Sequence, residues 1–528
     1  MTPEEWIAHD PDPSTAAELA ACSPGELAAR FARPLAFGTA GLRGPVRGGP
    51  DAMNVAVVLR ATWAVANVLV HPAGSRVVVG GDARHGSAAF ATAAAEVLAK
   101  QGCSVLLLPL PVPTPVVAFA VRHTGAVAGI QITASHNPPA DNGYKLYFEG
   151  GIQIVSPTDR RIEAAMADAP PADEIARTPV ATAGTELVER YIERAAAVRR
   201  STGSVRVALT PLHGVGGAVA LKALRGAGFH DVHTVAAQFA PDPDFPTVAF
   251  PNPEEPGATD ALLTLAADTG ADVAIALDPD ADRCAVGIPT ASGWRMLSGD
   301  ETGWLLGDYI LTHTDGAHRV VASTVVSSRM LAAIATHRGA THVETLTGFK
   351  WLARADSDVP GGTLVYAYEE AIGHCVDPDA VRDKDGISAA VLVCDLVAAL
   401  KAQGRSVPDA LDDLARRYGV HDVAAVSRRV APGQAGVEEA AGLMRRLRAE
   451  PPDRLAGFAA TVTDIGDALI FTGGDDDASA RVVVRPSGTE PKLKCYVEIR
   501  CGVTADLAPA RERARALRDE VVTAVRAW

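Results

Sequence analysis

Three aspartates alternate at Asp278, Asp280 and Asp282, and Arg283 follows them. Carboxylates at i, i+2 and i+4 can converge on one cation when the loop that carries them curls. An all-oxygen donor set suits Mg²⁺ or Ca²⁺ rather than zinc. An EF-hand is excluded: its sixth position needs Gly and its twelfth Glu, and this chain has Arg283 and Pro289 there. The competing reading is an acidic surface turn. The apolar run at 273–277 and the cation at Arg283 favour a metal loop. Ser135 lies in Thr133-Ala134-Ser135-His136-Asn137-Pro138, which is not a GxSxG nucleophile elbow. The stretch suits a serine that carries a phosphoryl group beside a metal, with Lys145 as a nearby cation. Taken alone, it also reads as a plain turn or a helix N-cap.

Three further stretches carry charge and glycine together. Arg485-Pro486-Ser487-Gly488-Thr489, followed by Lys492 and Lys494, offers charge-assisted donors, hydroxyls and open backbone N–H groups, as a phosphate dianion requires. A basic hairpin turn is the simpler alternative. Glu370-Ala371-Ile372-Gly373-His374 places a carboxylate suited to paired sugar hydroxyls. His374 there could donate to a hydroxyl or a phosphate, although a single His is more often structural. Arg382 and Lys384 add two cations just downstream. Near the start, Phe37-Gly38-Thr39-Ala40-Gly41-Leu42-Arg43-Gly44 lacks the GxxxxGK[ST] pattern of a P-loop, but its glycines and Arg43 suit a phosphate neighbour.

Each of these stretches needs an element to hold it, and the sequence supplies one in most cases. Short β-branched runs alternate with Ala- and Leu-rich stretches, which predicts βα units around sheets buried on both faces. Strands are expected at 76–80, 104–108, 126–132, 205–209, 273–277, 320–326 and 363–366, with a long helix over 386–401. The tail differs: short strands at 459–463, 468–472, 481–484 and 493–498 precede a final helix over 506–526. The fold class is therefore α/β, with three α/β modules and a C-terminal α+β module. The expected ranges are 1–190, 191–315, 316–425 and 426–528, with 167–183 as a linker or surface excursion. The distinctive residues follow strands, where open α/β sheets form binding crevices, so the loops can face one cleft.

Bulk properties narrow the class further. A chain of 528 residues has room for about three to five domains. Its formal charge of −14 argues against a nucleic-acid binder. The seven cysteines form no CxxC pair, which argues against a disulfide framework and a structural zinc site. No cationic n-region opens the chain, so no signal peptide is expected. The uncharged run 102–121 contains Pro109, Pro111, Pro113 and Pro115, so it reads as strand, turn and helix rather than a membrane span. The expectation is a cytoplasmic enzyme, monomer or homodimer, acting on small molecules with neither nucleic acid nor membrane as partner.

The stretches 38–44, 133–138, 278–283, 370–374 and 485–489, in that order, together resemble the α-D-phosphohexomutase family of phosphoglucomutases and phosphomannomutases. The resemblance covers nearly the whole chain. It implies a heart-shaped four-domain enzyme around one cleft, phosphorylated on Ser135. It implies one Mg²⁺ held by Asp278, Asp280, Asp282 and a phosphoserine oxygen, with Arg283 beside the metal and Arg43 and Lys145 lining the phosphoserine. Glu370, Gly373 and His374 would meet the sugar, and Arg485, Ser487, Gly488 and Thr489 the phosphate that stays. A hexose 1,6-bisphosphate would prime the serine. The implied reaction moves a phosphoryl group between the 1- and 6-positions of a glucose or mannose phosphate through a retained bisphosphate. A general base must take the hydroxyl proton, and His136, Lys145 and Lys384 are the candidates.

Two departures stand out. Many members read Gly-Glu-x-Ser-Gly-His at the sugar loop, where this chain has Ile372 in place of the Ser. Many bacterial members carry Thr-Gly-His where this chain reads Thr347-Gly348-Phe349. Both forms are similar to the branch with phosphopentomutase-type and glucose-bisphosphate-synthase members. A phosphopentomutase acting on ribose or deoxyribose phosphates is therefore the alternative. A sensor that had lost catalysis would be marked by a missing Ser135 or aspartate, and none is missing.

Overall fold

Alternating β-branched and Ala-rich stretches become four principal sheets in the computed structural model, which describes residues 1–37, 41–69, 74–429, 434–486 and 492–528. The first sheet runs Leu42–Pro45, Asp141–Phe148, Ala128–Ile132, Arg76–Gly81, Ser104–Leu107, with Ile152–Gln153 added beside Asp141–Phe148. The second runs Gly293–Met296, Cys284–Thr290, Val273–Leu277, Val207–Thr210, Val232–Thr234. The third runs Thr341–Thr345, Arg319–Thr324, Thr363–Glu369, Gly373–Cys375. In all three, a parallel centre meets an antiparallel strand on one side. Ala128–Ile132, Val207–Thr210 and Val273–Leu277 are buried at every position, so none alternates between apolar and exposed polar residues; Gln131 and Thr210 are buried polar positions within them. The fourth sheet is antiparallel throughout: Val420–Arg429, Lys492–Cys501, Ala478–Pro486, Leu469–Gly474, Thr461–Asp464. The helix Leu507–Ala527 packs on it, with Asp506 at its N-cap.

One connection recurs in the first three sheets. A parallel strand ends, a short loop turns, and the chain returns as the antiparallel neighbour. The loops are 133–140, 278–283 and 370–372. Each contains a non-glycine residue in the left-handed region: Ser135 at φ 51°, Ala281 at φ 58° and Ile372 at φ 54°. Such a backbone is costly for these residue types and persists only where its surroundings hold it.

The helix Gly386–Ala402 follows the third sheet in sequence but lies against the second. It touches the strands Val273–Leu277 and Cys284–Thr290 and the helices Thr185–Ala196 and Gly216–Gly226. It is buried on nearly all sides, which explains why its sequence shows no polar stripe. Through it, Val117, Leu277, Tyr366 and Val391 belong to one continuous apolar core. Asp385 caps the helix, accepting from the N–H groups of Ile387 (3.0 Å) and Ser388 (3.1 Å).

Three short helices at the start, Pro3–Ala8, Pro13–Ala20 and Pro24–Phe31, were outside the sequence expectation, although Thr2, Asp12 and Ser23 are ordinary N-caps ahead of Pro. The 167–183 stretch stays on the surface but is strapped to the first module. Ala172 and Ile175 enter its core, and Arg60 Nη1 donates to the carbonyls of Ala169 and Pro170 at 2.7 Å each. The uncharged 102–121 run becomes the strand Ser104–Leu107 and the start of the helix Thr114–Thr124. Among the described residues no single helix is long and apolar enough to cross a membrane. All seven cysteines are free thiols.

The helix start at Gly386 is seated on the aspartate loop. Its N–H donates to the Ala281 carbonyl at 3.2 Å, and a Cβ at this position would stand 2.3 Å from the Arg283 carbonyl oxygen. Gly386→Ala is expected to lower the unfolding free energy by about 1–3 kcal/mol through overpacking. Thermal denaturation reads this directly, and an unchanged midpoint would contradict the close contact.

Candidate active site

The buried strand Ala128–Ile132 delivers Thr133 and Ser135 at its end. The Ser135 N–H donates to Thr133 Oγ1 at 2.9 Å. Arg84, in the loop after Arg76–Gly81, binds the other side. Its Nη2 donates to the carbonyls of Ser135 (2.7 Å) and Asn137 (2.6 Å), and its Nη1 to those of Pro138 (2.7 Å) and Asp141 (3.1 Å). Asp82 Oδ1 accepts from the Arg84 N–H at 2.9 Å and from Ser87 Oγ at 2.6 Å. So held, Ser135 is 1 % exposed, and its Oγ donates to Asp278 Oδ2 at 2.9 Å.

Asp278, Asp280 and Asp282 are fully buried, and one carboxylate oxygen of each lies within 4.8 Å of the other two. The Arg283 N–H donates to Asp278 Oδ1 at 3.0 Å, which closes the loop. Cations from elsewhere meet it. Lys145 Nζ donates to Asp280 Oδ2 at 2.6 Å and Asp282 Oδ2 at 2.7 Å, and Lys384 Nζ stands 3.4 Å from Asp282 Oδ2. Thr114 adds a hydroxyl to Asp280 Oδ2 at 2.5 Å and a backbone N–H to the Asp280 carbonyl at 2.9 Å. Burial, and then the charges of Asp280 and Asp282, push the Asp278 carboxyl well above the ordinary range. Burial also opposes ionisation of Asp280, yet the Lys145 ammonium and nearby hydrogen bonds hold it below that range. Asp282 is likewise held low: burial and Asp280 are outweighed by Lys145, Lys384 and Arg283. Asp280 Oδ1 and Asp282 Oδ1 are buried without a hydrogen-bond partner among the described residues. Unpaired buried carboxylate oxygens are costly, and an all-oxygen set of this kind fits a hard divalent cation.

The remaining expected residues divide. Arg43 Nη1 donates to Asn137 Oδ1 at 3.2 Å, at the rim of the Ser135 loop. His136 keeps a buried Nδ1 with no partner among the described residues. Burial, then Arg283 and Arg43, depress its basicity strongly. Arg283 Nη1 reaches the Ala371 carbonyl at 3.0 Å, and the Cys284 N–H the Ile372 carbonyl at 3.0 Å, so the second loop is bonded to the third. Glu370 Oε2 accepts from Thr324 (3.2 Å) and Ser327 (3.3 Å), and burial and the charge of Glu369 raise its carboxyl above the usual range. A cavity of about 630 Å³ opens there, with Glu254, Glu370, Arg481, Lys494, Tyr496 and Glu498 among its walls. Arg485 stands across from Lys494 in the fourth sheet, beside the Tyr496 hydroxyl. Ser487, Gly488 and Thr489, like Gly38 to Ala40, lie outside the described residues.

Two of the residues expected at the sugar are covered by protein. His374 is fully buried: its Nδ1 lies 3.0 Å from the Tyr366 hydroxyl, its ring stacks on Tyr366 and Tyr368, and its Nε2 has no hydrogen-bond partner among the described residues. Burial drops its basicity to about 3. The reason is strand alternation: in Gly373–Cys375, Gly373 and His374 face opposite sides. Gly373 in turn is covered, since a Cβ there would stand 2.4 Å from Lys384 Cδ and 2.9 Å from Glu369 Cγ. It makes room for the Lys384 stem instead of offering an open face. Arg84 and Thr114 were not singled out from sequence. Arg84 had a signal, a charged loop directly after a strand; Thr114, within a proline-rich turn, had none.

Four consecutive stretches match the phosphoglucomutase/phosphomannomutase family: alpha/beta/alpha domain I over residues 34–172, domain II over 189–291, domain III over 298–418 and the C-terminal domain over 444–521. A "Probable phosphomannomutase" of Haemophilus influenzae is 40% identical over 465 residues, covering 85% of this chain and 93% of the relative. A "Phosphopentomutase" of Mus musculus is 33% identical, covering 99% of this chain and 93% of the relative. A phosphoglucomutase/phosphomannomutase family protein from Burkholderia thailandensis shares the fold with a TM-score of 0.71 at 21% identity, covering 93% of this chain and 96% of that one. The chain belongs to the phosphoglucomutase/phosphomannomutase family and is a phosphosugar mutase.

Proposed function

We propose that the enzyme moves a phosphoryl group between the 1- and 6-positions of a glucose or mannose phosphate, with Ser135 as the carrier. The observation that carries this reading is the 2.9 Å contact of Ser135 Oγ with Asp278, at the edge of the three-carboxylate cluster. Asp278, Asp280, Asp282 and a phosphoserine oxygen would hold one Mg²⁺. When bound, that ion supplies positive charge against the phosphoryl oxygens during transfer.

The chain's own groups do the rest. Lys145 and Arg43 line the phosphoserine, and Arg283 ties the aspartate loop to the sugar loop. Glu370 accepts sugar hydroxyls in the cavity. Arg485, with Ser487, Gly488 and Thr489, takes the phosphate that stays. In the forward half, the Oγ–P bond breaks, a bond forms between phosphorus and the free sugar hydroxyl oxygen, and the hydroxyl proton passes through the base of the site to the leaving Ser135 Oγ. The bisphosphate then turns over and returns its other phosphoryl group to Ser135. A hexose 1,6-bisphosphate primes the unphosphorylated serine. Among the base candidates, Lys145 and Lys384 have their ammonium groups against Asp280, Asp282 and Asp383, whereas His136 Nδ1 has no partner among the described residues.

A phosphopentose substrate is the second reading. It is favoured by the pentomutase relative, which matches 99% of this chain, and by Ile372 at the sugar loop. A coupled assay on glucose 1-phosphate, mannose 1-phosphate and ribose 1-phosphate, each with a trace of its bisphosphate, separates the two. Dominant ribose 1-phosphate turnover would replace the hexose reading.

Ser135→Ala is expected to abolish turnover with the thermal midpoint preserved, and intact-mass spectra should lose the covalent phosphate seen on wild type. Phosphate retained on the variant would reassign the carrier. Asp280→Asn replaces a carboxylate ligand with a neutral amide and should cut metal-dependent turnover by at least about 10²-fold. A metal titration measures it, and an unchanged midpoint and rate would remove this loop from the reaction.

A further inference from the structure

Phe245 belongs to the second module, in the stretch after the short helix Ala236–Phe239, yet its ring covers a residue of the first. The Arg84 guanidinium carbon lies 5.0 Å from its ring centroid. Both side chains are buried, Phe245 being 2 % exposed and the Arg84 side chain 1 %. The two groups complement each other geometrically. Arg84 directs both of its Nη nitrogens at three carbonyls of the Ser135 loop and at that of Asp141, where the next strand begins. The face of the guanidinium cannot hydrogen-bond, and an aromatic ring is the surface that stabilises it away from water.

Phe245 holds this place against its own backbone preference, with φ at 46°. Its stretch is clamped to the second sheet. The Asp242 N–H donates to the His213 carbonyl at 3.0 Å, and Gln238 Nε2 donates to Thr247 Oγ1 at 2.9 Å. His213 Nε2 lies 2.8 Å from the same Thr247 oxygen. Beside Phe245, Asp244 pairs with His85 Nε2 at 2.7 Å, so two adjacent residues of the second module grip two adjacent residues of the first. A bulky residue held in a disfavoured conformation by its surroundings is a feature that calls for a functional account.

We propose that Phe245 is a positioning residue for phosphoryl transfer at Ser135. By covering the face of Arg84 it fixes the carbonyl contacts that aim Ser135 Oγ at Asp278. The inference rests on Ser135 being the phosphoryl carrier. In the priming half-reaction, a sugar O–P bond of the bisphosphate breaks and the Oγ–P bond forms. The Oγ proton passes through the base of the site to the leaving sugar oxygen. The step depends on Oγ standing in line, and small misplacements of a reacting atom are expensive in rate. Sugar and distal phosphate are held by Glu370 and the Arg485 stretch in other modules, so their binding does not pass through Phe245.

The test uses the full chain, dephosphorylated, mixed with glucose 1,6-bisphosphate and followed by intact mass, together with steady-state turnover. Phe245→Leu keeps an apolar side chain and removes the π face. It is expected to slow Ser135 phosphorylation and lower kcat about tenfold, with KM within about twofold of wild type. Phe245→Tyr restores both rates. Arg84→Lys keeps the charge but loses the planar fork, and adding Phe245→Leu to it should cost nothing further. Should Phe245→Leu not fold, Phe245→Met carries the same expectation. Wild-type rates in Phe245→Leu, a change confined to KM, a Tyr variant as slow as Leu, or losses that multiply in the double variant would each overturn the positioning role. A wild-type chain that takes phosphate elsewhere than Ser135 overturns the carrier reading and this inference with it. Phosphorylation at Ser135 with Phe245→Leu equally fast overturns the positioning role alone.

Discussion

Three carboxylates share one small buried volume, with oxygens of Asp278, Asp280 and Asp282 within 4.8 Å of one another. Like charges 4.8 Å apart repel by about 3.5 kcal/mol per pair even at an effective dielectric of 20. Burial removes the water that would otherwise screen them. The cluster is tenable only if cations are brought to it, and its own loop supplies Arg283 alone. Lys145 arrives from the first sheet and Lys384 from the segment ahead of the helix Gly386–Ala402. The opposite displacements of Asp278 and of its two neighbours follow: the carboxyls nearest the ammonium groups stay ionised, and the third takes the strain. A bound divalent cation would relieve the same repulsion, so the site that fits a metal is also the site that requires the modules to close around it.

The closure is made by backbone as much as by charge. The Thr114 N–H binds the Asp280 carbonyl, the Gly386 N–H the Ala281 carbonyl, and the Cys284 N–H the Ile372 carbonyl. Each of these bonds ties one motif loop to another part of the chain. The loops share a position in the fold, between a parallel strand and its antiparallel return, and each contains a residue in the left-handed region. Three sheets of the same construction thus present equivalent turns to a common centre. Ser135, the three aspartates and Glu370 hold equivalent topological places.

Much of this was legible in advance. The strand at 273–277 is observed at its expected limits, and the helix expected at 386–401 is one residue longer, because runs of buried apolar residues bounded by polar loops leave little freedom. The strands of the last module extend further than expected, Ala478–Pro486 against 481–484, because pairing with a neighbour carries a strand past its apolar centre. The direction of His374 was hidden for a definite reason. In a strand of three residues there is no alternation to count, and a shift of one position turns a side chain from the cleft to the core. Only the stack with Tyr366 and Tyr368 shows which way it faces. Phe349, which stands where a histidine is common, has the Lys384 ammonium over its ring at 5.3 Å, a contact no spacing rule predicts.

By itself the sequence determined the chemistry on offer: three carboxylates at alternate positions, a serine at the end of a buried run, a glutamate loop, and an arginine–serine–glycine stretch. It also determined that strands would present them, since hydrophobic period and turn residues act over a few neighbours at a time. Tertiary structure decided which cation meets which carboxylate, that the helix Gly386–Ala402 lies on the second sheet, and that Arg84 with Phe245 grips the serine loop. Those pairings join residues far apart in sequence: Lys145 lies 135 and 137 positions from Asp280 and Asp282, and Arg84 lies 51 from Ser135. They depend on the shapes of packed surfaces and on where desolvated charges find partners, and neither is written in any local stretch of chain. Ser135 is an ordinary loop residue until that packing sets its hydroxyl against Asp278.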